Sequence, residues 1–158
     1  MTEATGWSPT GGSNGIYYVI GQFVLLGVIV VIGVLGVPSP IPGWVGVAVV
    51  AIGVAFGALG ATSLGPALTA LPRPASGSPG VQTSGIYRWV RHPIYGGVLL
   101  GALGWTLLSS LVALVPLALL AVLFVFKARR EETWLVGRFP DYGTYRQQVR
   151  HRFIPLLW

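Results

Sequence analysis

Arg91, His92 and, after Pro93, Tyr95 are the residues of this 158-residue chain best suited to chemistry, and they stand where an apolar run begins. Pro93 suits the first turn of a helix, because the N–H it lacks would have no partner there. This puts His92 near the cap. The free backbone N–H groups of such a turn, the helix dipole and Arg91 together make a site for a carboxylate or phosphate. Headgroup contact plus helix capping accounts for Arg91 and His92 equally well, and on the residues alone both readings stay open. Tyr95 and Gly96 add an aromatic wall beside a position where backbone comes close. If an acceptor must lose a proton, His92 and Tyr95 are the candidate bases.

A second group lies some forty residues later. Glu131 and Glu132 are two of only four acidic residues, set among Lys127, Arg129 and Arg130. Local pairing of Lys127 with Glu131 and of Arg129 with Glu132 would satisfy helical spacing. Successive helical residues point about 100° apart, so one carboxylate is expected to pair outward while the other faces the interior. An inward carboxylate needs a partner, which a ligand ammonium or ribose hydroxyl would supply.

The elements that must position these groups are membrane helices. Hydrophobic residues make up 53% of the chain and charged residues 9%, against about 25% charged in soluble domains. No charged side chain occurs between Glu3 and Arg73, and residues 16–37 are long enough to cross roughly 30 Å of hydrocarbon. The prolines and glycine of 38–43 force a turn before a second span at 44–64. Residues 93–108 and 111–130 read as a helical hairpin broken at Ser109 and Ser110, with Pro116 placed to kink its second arm. The expectation is one all-α membrane domain, 1–158: a four-helix bundle with a loop between the second and third spans and a short helical segment within 131–158. The first run lacks the basic flank of a secretory signal.

All ten basic residues fall in that loop or the tail, so the positive-inside rule places the loop and both termini in the cytoplasm. Membrane topology and anionic lipids explain the charge of +6 without nucleic acid. There is no cysteine and only His92 and His151 could offer imidazole, so no metal centre is expected. Rows of glycine, at 46, 53, 57 and 60 and at 97, 101 and 104, suit close helix packing within the bundle, with self-association as the alternative. The lack of charge within the apolar cores argues against an ion-coupled transporter.

The order "TSGIYRWVRHPIYGG", an apolar hairpin, "REE", then "FPDYGTYRQQVRHRFIP" resembles the isoprenylcysteine carboxyl methyltransferase family of integral membrane enzymes, related to phospholipid N-methyltransferases. The likeness covers residues 71–158; the first two spans match only in being hydrophobic. It implies S-adenosylmethionine as cofactor, held by Val81, Gln82, Tyr87, His92, Pro93, Ile94, Tyr95 and Glu131, with Glu131 inward and Glu132 the more exposed of the pair. It implies contact of Arg91, Lys127 and Tyr145 with the substrate. Lys127 stands where prenylcysteine enzymes have an arginine that meets the substrate carboxylate, and lacks its planar fork. Tyr142, Tyr145 and Arg150 match a helix covering the pocket. The acceptor is expected to be hydrophobic or lipid-like, with carboxylate, amine and hydroxyl all open. An NADPH-dependent reductase of the sterol-reductase type shares the RHP-Y segment but has asparagine where this chain has Ile94. A non-catalytic transporter or assembly factor is the remaining alternative. Nine arginines against one lysine point to a GC-rich bacterial gene and an inner-membrane location.

Overall fold

The computed structural model describes residues 15–65, 68 and 80–155. Among them every regular element is helical: α1 Ile16–Leu35, α2 Gly43–Leu64, α3 Pro93–Leu108, α4 Leu114–Arg138 and α5 Tyr142–Gln148, with 3₁₀ turns at Gly85–Arg88 and Leu111–Ala113. Arg73 and much of the expected loop lie outside the described residues, as do both ends of the chain. α1, α2 and the stretch Leu111–Arg138 are each long and apolar enough to cross a membrane, and the protein is an integral membrane protein. α3 is equally apolar but has 16 residues, a rise of about 24 Å against a hydrocarbon core of about 30 Å.

The helices alternate in direction. At one end Ser39 N donates to Ser109 O at 2.8 Å, joining the α1–α2 turn to the α3–α4 turn. At the other end Gly60 of α2 faces Pro93 and Ile94 of α3, and Lys127 of α4 reaches Gln22 of α1. Pro116 sits in the first turn of α4, where its missing N–H costs nothing, so it starts the helix and is not placed to kink it. α4 also runs on past Arg130 to Arg138, which keeps both glutamates on regular helix. Leu117, Leu120, Phe124 and Ala128 turn to the core with Ile29 and Ala102. Phe23, Val31, Val115 and Val122 point outward, as lipid contact permits.

The glycine rows face each other across α2 and α3. A Cβ on Gly53 would lie 2.5 Å from Gly101 N and 2.8 Å from Gly97 O, and one on Gly97 2.5 Å from Gly57 N. These neighbours are backbone and have nowhere to move. Gly53→Ala is therefore expected to cost about 1 to 3 kcal/mol as an overpacking defect. Gly27→Ala, where nothing lies within 4 Å, should be neutral to slightly stabilising. Thermal unfolding of both in detergent tests this; equal melting temperatures would refute the backbone contact.

Candidate active site

The chain approaches α3 through the 3₁₀ turn and the fully buried Val90, then extends at Arg91 and His92. Here the C-terminal segment lies against it. Arg91 N donates to His151 O at 3.1 Å and His92 N to Arg152 O at 2.8 Å. The Arg91 guanidinium turns inward: Nε meets Glu132 Oε1 at 3.0 Å, and Nη1 donates to Arg150 O at 3.0 Å and to Val149 O. Arg91 is thus engaged by one carboxylate and two carbonyls. These contacts give Arg91 a role in fastening the C-terminal segment beside the expected one toward an external anion or the substrate.

Both glutamates serve the interior, contrary to the expected division. Glu132 is 3% exposed, while the Glu131 side chain is 26% exposed, the reverse of the expected order. Glu132 Oε1 lies 3.0 Å from Arg91 Nε, 3.1 Å from His92 Nε2 and 3.3 Å from Arg152 Nε. His92 resolves the geometric conflict by standing between the two carboxylates, with Nδ1 3.5 Å from Glu131 Oε2. Burial works against a charged ring here, but the hydrogen bonds and charges of Glu131 and Glu132 outweigh it and raise the His92 pKa. An imidazolium donates from both nitrogens. With each nitrogen facing a carboxylate and 6% exposure, His92 is placed to orient Glu131 and Glu132, and the arrangement does not favour it as a base.

Tyr95, one turn into α3, donates to Glu131 Oε2 at 2.9 Å. Its ring stacks on Phe124 at 4.8 Å between centroids and runs parallel to His92 at 5.4 Å. The Lys127 ammonium lies 5.0 Å from the same ring centroid and donates to Gln22 Oε1 at 2.6 Å. The local pairs Lys127–Glu131 and Arg129–Glu132 are not among the ion pairs of the described residues. Lys127 reaches α1 instead, and Glu132 reaches α3 and the C-terminal segment.

The remaining expected site residues gather beside this cluster. Pro93 is buried as the first residue of α3, and Ile94 packs at Gly60. Gln82 Nε2 donates to Ser63 O at 2.9 Å. Val81 packs on the cluster of Tyr142, Tyr145 and Val149. Tyr145 OH donates to Tyr87 O at 2.7 Å, so this tyrosine of α5 braces the segment before α3. Burial, then the charge of Glu131, pushes the Tyr87 phenol well above its usual range, which keeps it a neutral donor. Gln22, Arg152 and Phe153 belong to the neighbourhood but were not expected from the sequence. Gln22 carried a signal, as the lone amide of an apolar helix; Arg152 and Phe153 stand in the C-terminal motif, which marks the segment without marking these two residues.

On the lipid side of the cluster an apolar groove of about 420 Å³ runs between α3 and α4, lined by Leu99, Ala121, Val122, Val125, Phe126, Phe153 and Ile154. Phe153 joins the two regions, its ring centroid 6.2 Å from those of both His92 and Tyr95. A polar cluster thus abuts an apolar groove at one end of a helical bundle. Among curated proteins none matches the chain. The family model for phospholipid methyltransferase matches residues 41–141, from the turn before α2 to the residue before α5. The match takes in His92, Tyr95, Lys127 and both glutamates, and the chain belongs to the phospholipid methyltransferase family.

Proposed function

We propose that the protein is an S-adenosylmethionine-dependent methyltransferase whose acceptor is hydrophobic or lipid-like, and that the polar cluster lies at the cytoplasmic membrane face. The observation that carries this reading is a partly exposed carboxylate, Glu131, oriented by Tyr95 and His92 beside an apolar groove. The donor set fits the cofactor. Glu131 suits its ammonium through a charge-assisted hydrogen bond. The start of α3 has no side-chain cap and suits its carboxylate. When bound, the cofactor supplies a methyl group on a sulfonium.

The chain's own contribution is alignment and exclusion of water. Arg91, Arg152 and Glu132 hold the C-terminal segment down; Tyr95 and His92 hold Glu131; the groove takes the acceptor's apolar part from the side, through lipid. An anionic acceptor oxygen needs no base. For a neutral one, the Tyr95 hydroxyl is the better placed group as a relay: it takes the acceptor's proton while passing its own to Glu131, to which it already donates. The described basic residues gather toward the cluster end, and none lies in the turns at 36–42 and 109–113, which supports the cytoplasmic assignment.

Calorimetry of the purified protein with S-adenosylhomocysteine and with NADPH tests the reading. Binding of the first alone is expected. Binding of NADPH alone would favour a reductase, and binding of neither a non-catalytic role.

A further inference from the structure

α1 lies outside the stretch carrying the family match, yet it sends a polar side chain to the site. Gln22 is the only amide or charged side chain between Ile16 and Leu35. An amide facing hydrocarbon needs a partner, and Gln22 Oε1 has one in Lys127 Nζ at 2.6 Å. Lys127 is 1% exposed, and no carboxylate among the described residues lies within ion-pair distance of it. A buried ammonium without a carboxylate is costly. What offsets the cost is the Gln22 oxygen together with two aromatic rings, Tyr95 at 5.0 Å and Phe124 at 5.9 Å from the nitrogen to the centroid, and, at longer range, the charge of Glu131 one turn along the helix.

We infer that Gln22 is a positioning residue of the site: by fixing Lys127 against the Tyr95 ring it holds that phenol on Glu131, so that α1 is a working part of the centre. This rests on Glu131 receiving the cofactor's ammonium, as proposed above. The chain of contacts is continuous, from Gln22 to Lys127, from Lys127 to the Tyr95 ring, and from the Tyr95 hydroxyl to Glu131 Oε2 at 2.9 Å. A lysine has a flexible four-carbon stem. Released from Gln22, its ammonium would snorkel toward water, and Tyr95 would lose the contact on that side. The amide is what keeps the charge at this depth.

Lys127 is the chain's only lysine, so protein labelled with ε-¹³C lysine gives one side-chain methylene signal to follow in detergent micelles. Ring currents should move its ε-protons upfield of free lysine, and a held ammonium should make the two protons inequivalent. Gln22→Leu should collapse both effects and weaken S-adenosylhomocysteine binding by about three- to tenfold, the loss of one buried hydrogen bond. Gln22→Glu, which keeps an acceptor on the same stem, should restore both. A wild-type signal at the free-lysine position, or a Gln22→Leu signal and affinity like those of the wild type, overturns the inference. A collapsed signal with unchanged affinity overturns the positioning role. If Gln22→Leu does not fold, Gln22→Asn, one methylene short of Lys127, is read the same way. Wild-type protein that fails to bind S-adenosylhomocysteine would sink the proposed function, while the lysine signal would still decide whether Gln22 holds Lys127.

Discussion

Glu132→Gln is expected to cost about 3 to 5 kcal/mol of stability, the usual result of removing one partner from a buried ion-pair network. Arg91 is 9% exposed and His92 6%; with the charge of Glu132 gone, two buried cations face a neutral amide. The amide would also present N–H groups to donors that now meet carboxylate oxygens, on Arg152 above all, which contacts both Oε1 and Oε2. Because Arg91 and Arg152 fasten the C-terminal segment, the damage should appear there first. Unfolding in detergent measures the cost, and limited proteolysis measures release of residues 149–154. Arg129→Gln, at an exposed position on the same helix, should change stability by about 0 to 1 kcal/mol. Similar losses from the two substitutions would mean that Glu132 is not the hub of this network.

The ranking of the two glutamates shows what a sequence does and does not carry. Helical spacing sets the two side chains about 100° apart and from that sends one outward, but it treats α4 alone. It cannot know that the opposing element presents a ring with two nitrogens, one for each carboxylate. Glycine spacing, by contrast, reports on the neighbour as well, because a row of missing side chains only has a use where another backbone comes close. The α2–α3 contact is legible for that reason. The acceptors for Arg91 are not legible, since Val149 and Arg150 offer carbonyls that any residues there would offer. The same holds for Gly96, where an added Cβ would meet the carbonyl of Phe153; the glycine is visible, its neighbour is not. His92, Tyr95 and Glu131 could be named together because their types fit one task. Their mutual orientation depends on how the C-terminal segment folds back on α3, which its motif does not spell out, and on Gln22, which lies outside the motifs altogether.

Glu131→Gln is expected to weaken S-adenosylhomocysteine binding by about 1.5 to 3 kcal/mol, the loss of a charge-assisted hydrogen bond, or roughly one to two orders of magnitude in affinity. Stability should fall by much less than in Glu132→Gln. Among the described residues Glu131 has one ion-pair contact, with His92 at 3.5 Å, and its side chain is 26% exposed, so water can compensate for what the protein loses. Tyr95→Phe should fall between, removing the hydroxyl that orients the carboxylate at 2.9 Å and costing about 0.5 to 1.5 kcal/mol of affinity. The order of the three proteins in affinity, wild type above Tyr95→Phe above Glu131→Gln, is the diagnostic result. It separates two jobs that one carboxylate could hold. If Glu131 only holds His92 in place, its substitution should lower stability and leave the affinity of folded protein unchanged. If it receives the cofactor, affinity falls in protein that is otherwise sound. Titrations on folded, monodisperse Glu131→Gln that match wild type would confine Glu131 to the first job and remove the observation on which the proposed function stands.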